Sequence, residues 1–115
     1  MRRGQVYYVD LDPARGREAN KSRPAVLVSN DGLNRTLMRL GRGVVTVVPI
    51  TSNVASVHPF QVLLEPEDSG LEVRSKAQAE QIRTLDVDRI GAYVGTLGPA
   101  VLAELDRALR VHLSL

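Results

Sequence analysis

The chain of 115 residues contains no cysteine. Disulfides, thiol nucleophiles, zinc ribbons and thiolate-held iron–sulfur clusters are therefore excluded. Histidine is nearly as scarce. His58 and His112 lie far apart, so neither a His-rich metal site nor a Ser–His–Asp arrangement is expected. Asp10 and Asp12 are close, but Asp12 precedes a proline and no histidine is near, so no metal and no cofactor is expected. Tryptophan is absent, and the aromatics amount to three tyrosines and one phenylalanine. Val, Leu and Ile must then carry the core, and binding of single strands by stacking alone is disfavoured. The longest apolar run, Val44 to Ile50, is interrupted by Thr46 and Pro49. It falls far short of the roughly 20 residues of a membrane span. Met1-Arg2-Arg3 is followed by no apolar stretch of the kind a signal peptide needs. With no cysteine to protect, the chain fits a reducing cytoplasm, with no membrane partner. Neither GxxxxGK[ST] nor GxGxxG occurs, so no phosphate-cradling glycine loop is expected.

What is present suits one domain over residues 1–115, able to bury about two-thirds of its unfolded surface. Hydrophobic residues at 43% and charged residues at 24% read as a soluble globular chain. The net charge of +2 conceals an asymmetry. Residues 1–58 carry nine Lys/Arg against four Asp/Glu, a balance of +5; residues 59–115 carry six against nine, a balance of −3. A basic half attracts a polyanion and releases its counterions. The plainer alternative is a solvated surface of uneven charge.

Alternation predicts a strand over Gln5 to Leu11, with Tyr7, Val9 and Leu11 on one face and Val6, Tyr8 and Asp10 on the other. Asp12-Pro13 stops it. Residues 12–22 are polar, contain Gly16 and show no periodicity, which predicts a mobile loop beside a binding site. A second strand begins near Ala25, and Ser29-Asn30-Asp31-Gly32 reads as a turn. A single helical turn fits Asn34 to Leu40, before Gly41 and Gly43. Val44 to Val48 reads as a strand covered on both faces, with Pro49 forcing an edge or a bulge. Further strands are expected over Phe60 to Glu65, Ser75 to Ala77 and Glu80 to Ile82, with a turn over Pro66 to Gly70. Pro99 then starts a helix whose stripe is Val101, Leu102, Leu105, Ala108, Leu109 and His112. Several antiparallel strands followed by one closing helix make a mainly β, α+β fold: a small bent sheet or partly open barrel packed by a helix. Such an incompletely closed sheet exposes an apolar patch, which two-fold pairing into a homodimer would cover.

Three polar stations interrupt the apolar runs. They are Glu18 with Lys21-Ser22-Arg23-Pro24, then Pro49-Ile50-Thr51-Ser52, then Ser75-Lys76-Ala77 with Gln81-Ile82-Arg83-Thr84. Each sits at a strand end, where a sheet holds side chains out to a ligand. Arg23 needs a partner because its guanidinium stays charged: either a salt bridge to Glu18 or Asp10, or a phosphate. Thr51-Ser52 reads as a hydroxyl-rich turn or as a ligand contact. Gln81 reads as an amide bonded to backbone or as a ligand contact. Arg15, Arg17 and Lys21 make the 12–22 loop cationic against Glu18. Lys21 and Lys76, the lysines of the first and third stations, are expected substrate contacts.

At these stations the chain resembles the MazF/PemK family of toxins from toxin–antitoxin pairs. The matching strings are Gly4-Gln5-Val6-Tyr7-Tyr8-Val9-Asp10-Leu11-Asp12-Pro13, then Gly16-Arg17-Glu18 with Arg23-Pro24. Val48-Pro49-Ile50-Thr51-Ser52 and Ala79-Glu80-Gln81-Ile82-Arg83-Thr84-Leu85-Asp86 complete the set. Any one string is weak; together, in order and spacing, they are specific and cover nearly the whole chain. The resemblance implies an SH3-like β-barrel with a C-terminal helix, usually a homodimer. It implies a metal-independent endoribonuclease that cuts single-stranded RNA at short sequences, whether messenger, ribosomal or transfer RNA, and is held in check by an antitoxin protein. It places Arg23 and Thr51 in catalysis, and Glu18, Ser52 and Gln81 in the active site or in RNA contact. Lys21-Ser22 and the arginine-rich stretch Leu33 to Gly43 depart from the family pattern, so the recognition sequence does not carry over.

The implied chemistry suits these residues. The 2′-OH of RNA attacks its own phosphate, so the protein has to remove that proton, neutralise the phosphorane and protonate the leaving 5′-oxygen. The expected ends are a 2′,3′-cyclic phosphate and a 5′-hydroxyl. Arg23 suits the second task. Glu18 is a chemically better base than Arg23, and the sequence leaves that choice open. A gyrase-poisoning toxin of the same fold, acting by protein binding, is the alternative function.

Overall fold

The computed structural model describes residues 1–11 and 22–115. Its elements in chain order are β1 (Gln5–Asp10), β2 (Ser22–Leu27), α1 (Asp31–Leu40), β3 (Val44–Thr51) and β4 (Gln61–Leu64). There follow α2 (Pro66–Ser69), β5 (Ser75–Gln78), β6 (Arg83–Asp86), β7 (Ile90–Thr96) and α3 (Pro99–Leu113). Short 3₁₀ turns at Ala79–Gln81 and Val87–Arg89 flank β6. All pairings between these strands are antiparallel, in the order β4-β5-β3-β2-β1-β7, with β6 also beside β3. The sheet is open, with β4 and β7 at its ends. The mainly β reading with a closing C-terminal helix holds.

Two apolar clusters follow from the period-2 alternation of the central strands. Val6, Val26, Val48, Ile50 and Leu64 meet Leu105, Ala108 and Leu109 of α3. Val9, Ala25, Leu27, Val45, Val47 and Leu85 meet Leu37 of α1. Adjacent residues of β3 thus serve different cores, which is why the run is continuously apolar. The predicted stripe of α3 is buried at Leu105, Ala108 and Leu109, while His112 at its far end is exposed. Among the described residues no helix is long and apolar enough to cross a membrane.

Several local expectations are corrected. Asn30 is a helix cap rather than a turn residue: its Oδ1 accepts from the Gly32 N–H at 2.7 Å. Asparagine serves either purpose, because its short amide satisfies a nearby backbone N–H in both. The helix therefore starts at Asp31 and runs ten residues. Buried Asn34 ties it down through Ser29, whose carbonyl accepts from Nδ2 at 2.9 Å. The Pro66 to Gly70 turn is one helical turn, with Asp68 accepting from the Glu65 N–H at 2.9 Å. Glu80 to Ile82 is not a strand; the pairing residues are Arg83 to Asp86. Pro49 does not end β3. It pairs with Ala25 of β2 on one side. On the other side β3 changes partner, from β6 at Val47 to β5 at Ile50, so no ladder asks Pro49 for an N–H. The expected loop and its mobility fall on residues 12–21, outside the described residues; Ser22 already pairs with Asp10.

The turn after α2 is pressed against β7. Gly70 has φ +84, and a Cβ there would lie 2.6 Å from the Val94 carbonyl oxygen. A Cβ on Gly95 would collide with the Ser69 carbonyl. Gly95→Ala is expected to cost about 1–3 kcal/mol through overpacking and to lower Tm by at least about 5 °C in a thermal melt. An unchanged Tm would mean the contact has room to relax.

Asp31 generates a pH dependence. The Arg3 N–H donates to its Oδ1 at 2.7 Å, and Asn34 Nδ2 donates at 3.2 Å. The Arg3 bond above all holds the carboxyl below its ordinary value of 3.8, against opposing desolvation. A carboxyl depressed by folding stabilises the fold above its unfolded value and loses that contribution as pH falls through the folded one. Asp31→Asn, which keeps an acceptor oxygen, is expected to lose less Tm than the parent between about pH 5 and pH 2. Parallel losses in parent and variant would remove Asp31 from the acid response.

Candidate active-site cleft

The ends of β2 and β3 open on a cleft of about 810 Å³. Arg23, Thr51, Ser52 and Gln81 all line it, so residues from all three polar stations converge there. The convergence follows from register. Leu27, Val26 and Ala25 pair with Val47, Val48 and Pro49. Arg23, two residues before Ala25, and Thr51, two after Pro49, lie just past this paired stretch, and both line the cleft. The change of partner at Val48 and Pro49 forces the chain between β5 and β6 out of the sheet as a 3₁₀ turn, which carries Gln81 to the lining.

Of the two salt bridges open to Arg23, the one to Asp10 is not formed, and Glu18 lies outside the described residues. The Arg23 side chain is exposed and has no ion-pair partner among the described residues. Asp10 is engaged elsewhere: Arg89 Nη1 lies 3.6 Å from its Oδ2 and 3.4 Å from its carbonyl oxygen. Thr51 Oγ1 accepts from the Asn53 N–H at 3.2 Å. With a lone pair so used, its proton remains available to donate into the cleft. Arg83, at the start of β6 opposite Val47, adds a second guanidinium to the lining. A guanidinium fork and a hydroxyl lining one cleft can bind the non-bridging oxygens of a phosphodiester.

Of the other expected residues, one is placed away from the cleft and two are not described. Glu18 and Lys21 lie outside the described residues. Lys76 is buried, does not line the cleft, and donates from Nζ to the Ser56 carbonyl at 2.6 Å. Its charge anchors the segment after β3 instead of facing the opening, because β5 is covered along Ser75, Lys76 and Ala77. Among the described residues no three His, Cys, Asp or Glu side chains are grouped to hold a metal ion.

Other lining residues carried no signal in the sequence. Tyr8, Tyr93, Gln78 and Glu72 join the cleft. Tyr8 sits on an ordinary alternating strand, and Glu72 follows a turn without pattern. Tyr93 belongs to β7, an edge strand whose two glycines hide its periodicity. Beneath Tyr93 lies Tyr7, ring centroids 5.7 Å apart and edge-on at 68°. Burial first, and the Tyr93 phenol second, push the Tyr7 hydroxyl above its ordinary value of 10.0. That hydroxyl lies 2.7 Å from Gln5 Oε1, to which it donates.

Comparison with known proteins agrees with this geometry. Residues 2–113 match the PemK-like, MazF-like toxins of type II toxin–antitoxin systems. The endoribonuclease MazF9 of Mycobacterium tuberculosis is 60% identical over 115 residues, covering all of this chain and 98% of its own. The endoribonuclease MazF of Staphylococcus epidermidis is 34% identical over 116 residues, covering all of this chain and 92% of its own. A mycobacterial endoribonuclease solved in complex with its cognate antitoxin superposes with a TM-score of 0.78 at 31% identity, covering all of this chain and 96% of that one. In MazE–MazF from Deinococcus radiodurans the corresponding values are 0.78 and 26%, over all of this chain and 96% of that one. A match that runs almost end to end, together with an open seven-stranded sheet closed by a C-terminal helix, assigns the chain to the PemK-like, MazF-like toxins of type II toxin–antitoxin systems.

Proposed function

We propose that this chain, as one domain over residues 1–115, is a toxin endoribonuclease. It cuts single-stranded RNA at short sequences without a metal, and so inhibits translation and growth. A cognate antitoxin protein neutralises it in the cytoplasm. The observation that carries the reading is the Arg23 guanidinium, without an ion-pair partner among the described residues, lining one cleft with Thr51 and a second cation, Arg83. The endoribonuclease relatives and the antitoxin-bound structure support it.

The reaction follows from what the residues can supply. The 2′-oxygen attacks the adjacent phosphorus and gives up its proton to a base. Charge accumulates on the non-bridging oxygens, where Arg23 and the Thr51 hydroxyl stabilise it. The bond from phosphorus to the 5′-oxygen breaks, and that oxygen takes a proton from solvent, to which the base returns the one it removed. The products are a 2′,3′-cyclic phosphate and a 5′-hydroxyl. The nucleophile belongs to the substrate, so no metal-bound water is required. Glu18 is the residue we assign as base, since a carboxylate accepts a proton more readily than a guanidinium gives up its own. Lys21, Ser52 and Gln81 are assigned to RNA contact. Lys76 contributes only through the segment it anchors. The chain acts as a homodimer, for which exposed Val111, Leu113 and Leu115 at the end of α3 supply an apolar surface.

The test is incubation with a long RNA in EDTA. The parent is expected to cut it, and Arg23→Ala to cut at least about 100-fold more slowly with its melting curve retained. A folded Arg23→Ala protein with parental rate would remove Arg23 from the mechanism. Intact RNA with the parent, together with trapped gyrase–DNA complexes, would replace the ribonuclease reading with that of a gyrase poison.

A further inference from the structure

Among the described residues, the charged side chains of the cleft lining are Arg23, Arg83 and one carboxylate, Glu72. A carboxylate facing a polyanion weakens binding unless it meets something other than phosphate. Its position is fixed by the close approach already described. Gly70 packs against Val94, so the segment after α2 and the edge strand β7 form one continuous stretch of lining that contains Glu72 and Tyr93. Tyr93 is 56% exposed, yet its ring is pinned. Its hydroxyl lies 2.6 Å from Thr96 Oγ1, and the edge contact with Tyr7 holds its inner side. An aromatic ring that is both fixed and open is a preorganised stacking surface.

We infer that this stretch is a nucleobase subsite: Tyr93 stacks on a base next to the cleaved phosphate, and Glu72 accepts from that base's exocyclic amine. The inference rests on the ribonuclease reading above and names its substrate more closely. Adenine, cytosine and guanine each present an amine that a carboxylate can accept from. Uracil presents one N–H between two carbonyl oxygens, which a carboxylate repels. The cleft therefore discriminates against uridine at one position beside the cut. Both residues determine specificity, and neither touches the reacting atoms.

The experiment is cleavage of a randomised RNA pool by the parent, Glu72→Gln, Tyr93→Phe and Tyr93→Leu, with cut sites read by sequencing. The parent is expected to disfavour uridine at one flanking position by about 5- to 100-fold. Glu72→Gln, whose amide both donates and accepts, is expected to admit uridine there while cutting the parental site. Tyr93→Phe keeps the ring and its edge contact with Tyr7 but loses the bond to Thr96, and is expected to keep the parental cut sites and raise KM less than Tyr93→Leu does. Tyr93→Leu is expected to raise KM about 5- to 100-fold with kcat little changed. A Glu72→Gln cut-site profile identical to the parent's, or Tyr93→Leu kinetics identical to those of Tyr93→Phe, overturns the subsite and leaves the ribonuclease standing. A parent that leaves the whole pool uncut overturns both.

Discussion

One strand carries three ladders. β3 pairs with β2 along one edge, and along the other with β6 over Val44–Val47 and β5 over Ile50–Thr51. The exchange of partners takes place at Val48 and Pro49, where a residue without an N–H fits. Everything in the cleft depends on that exchange. It leaves the end of β3 projecting past β6, with Thr51 as its last residue. It expels the β5–β6 connection as a 3₁₀ turn and thereby delivers Gln81 and Arg83 to the same opening. The two apolar clusters on opposite faces of β3 lock this geometry, since a slip of one residue would trade the side chains of one core for those of the other.

Within this frame the distribution of charge separates structure from function. Arg3, Arg74 and Arg89 have carboxylate partners, and Lys76 is bonded to a backbone carbonyl. Arg3 joins three regions at once, reaching Asp106 on α3 at 2.6 Å, the Val28 carbonyl at 2.8 Å and, through its N–H, Asp31 on α1. Arg23 has no carboxylate partner among the described residues, and it sits exposed at a strand end on the cleft. A phosphate that displaces water from it gains in the sheltered cleft more than it would on an open surface.

Much of this was legible in the residues. The alternation of Gln5 to Asp10, the β-branched run of β3 and the stripe of α3 each follow from a single period, and each appears, except that the stripe stops short of the exposed His112. Arg23 and Thr51 stand out because they interrupt apolar runs at strand ends. Local signals misled where one residue type serves two purposes. Asn30 looks like a turn former and is a helix cap; Lys76 looks like a presented cation and is an anchor. Glu72 and Tyr93 were beyond reach for a different reason. They share one lining because Gly70 lets a turn touch β7, a contact between distant segments that no local pattern encodes.

The central claim is that the scissile phosphate sits between Arg23 and Thr51. It is tested most directly by determining the structure of the protein bound to a target RNA with one 2′-deoxy sugar at the cut, which removes the nucleophile and leaves the phosphate in place. The account predicts non-bridging phosphate oxygens about 2.7–3.1 Å from the Arg23 guanidinium and from Thr51 Oγ1. An RNA bound elsewhere, with the cleft between β2 and β3 open to solvent, would contradict it.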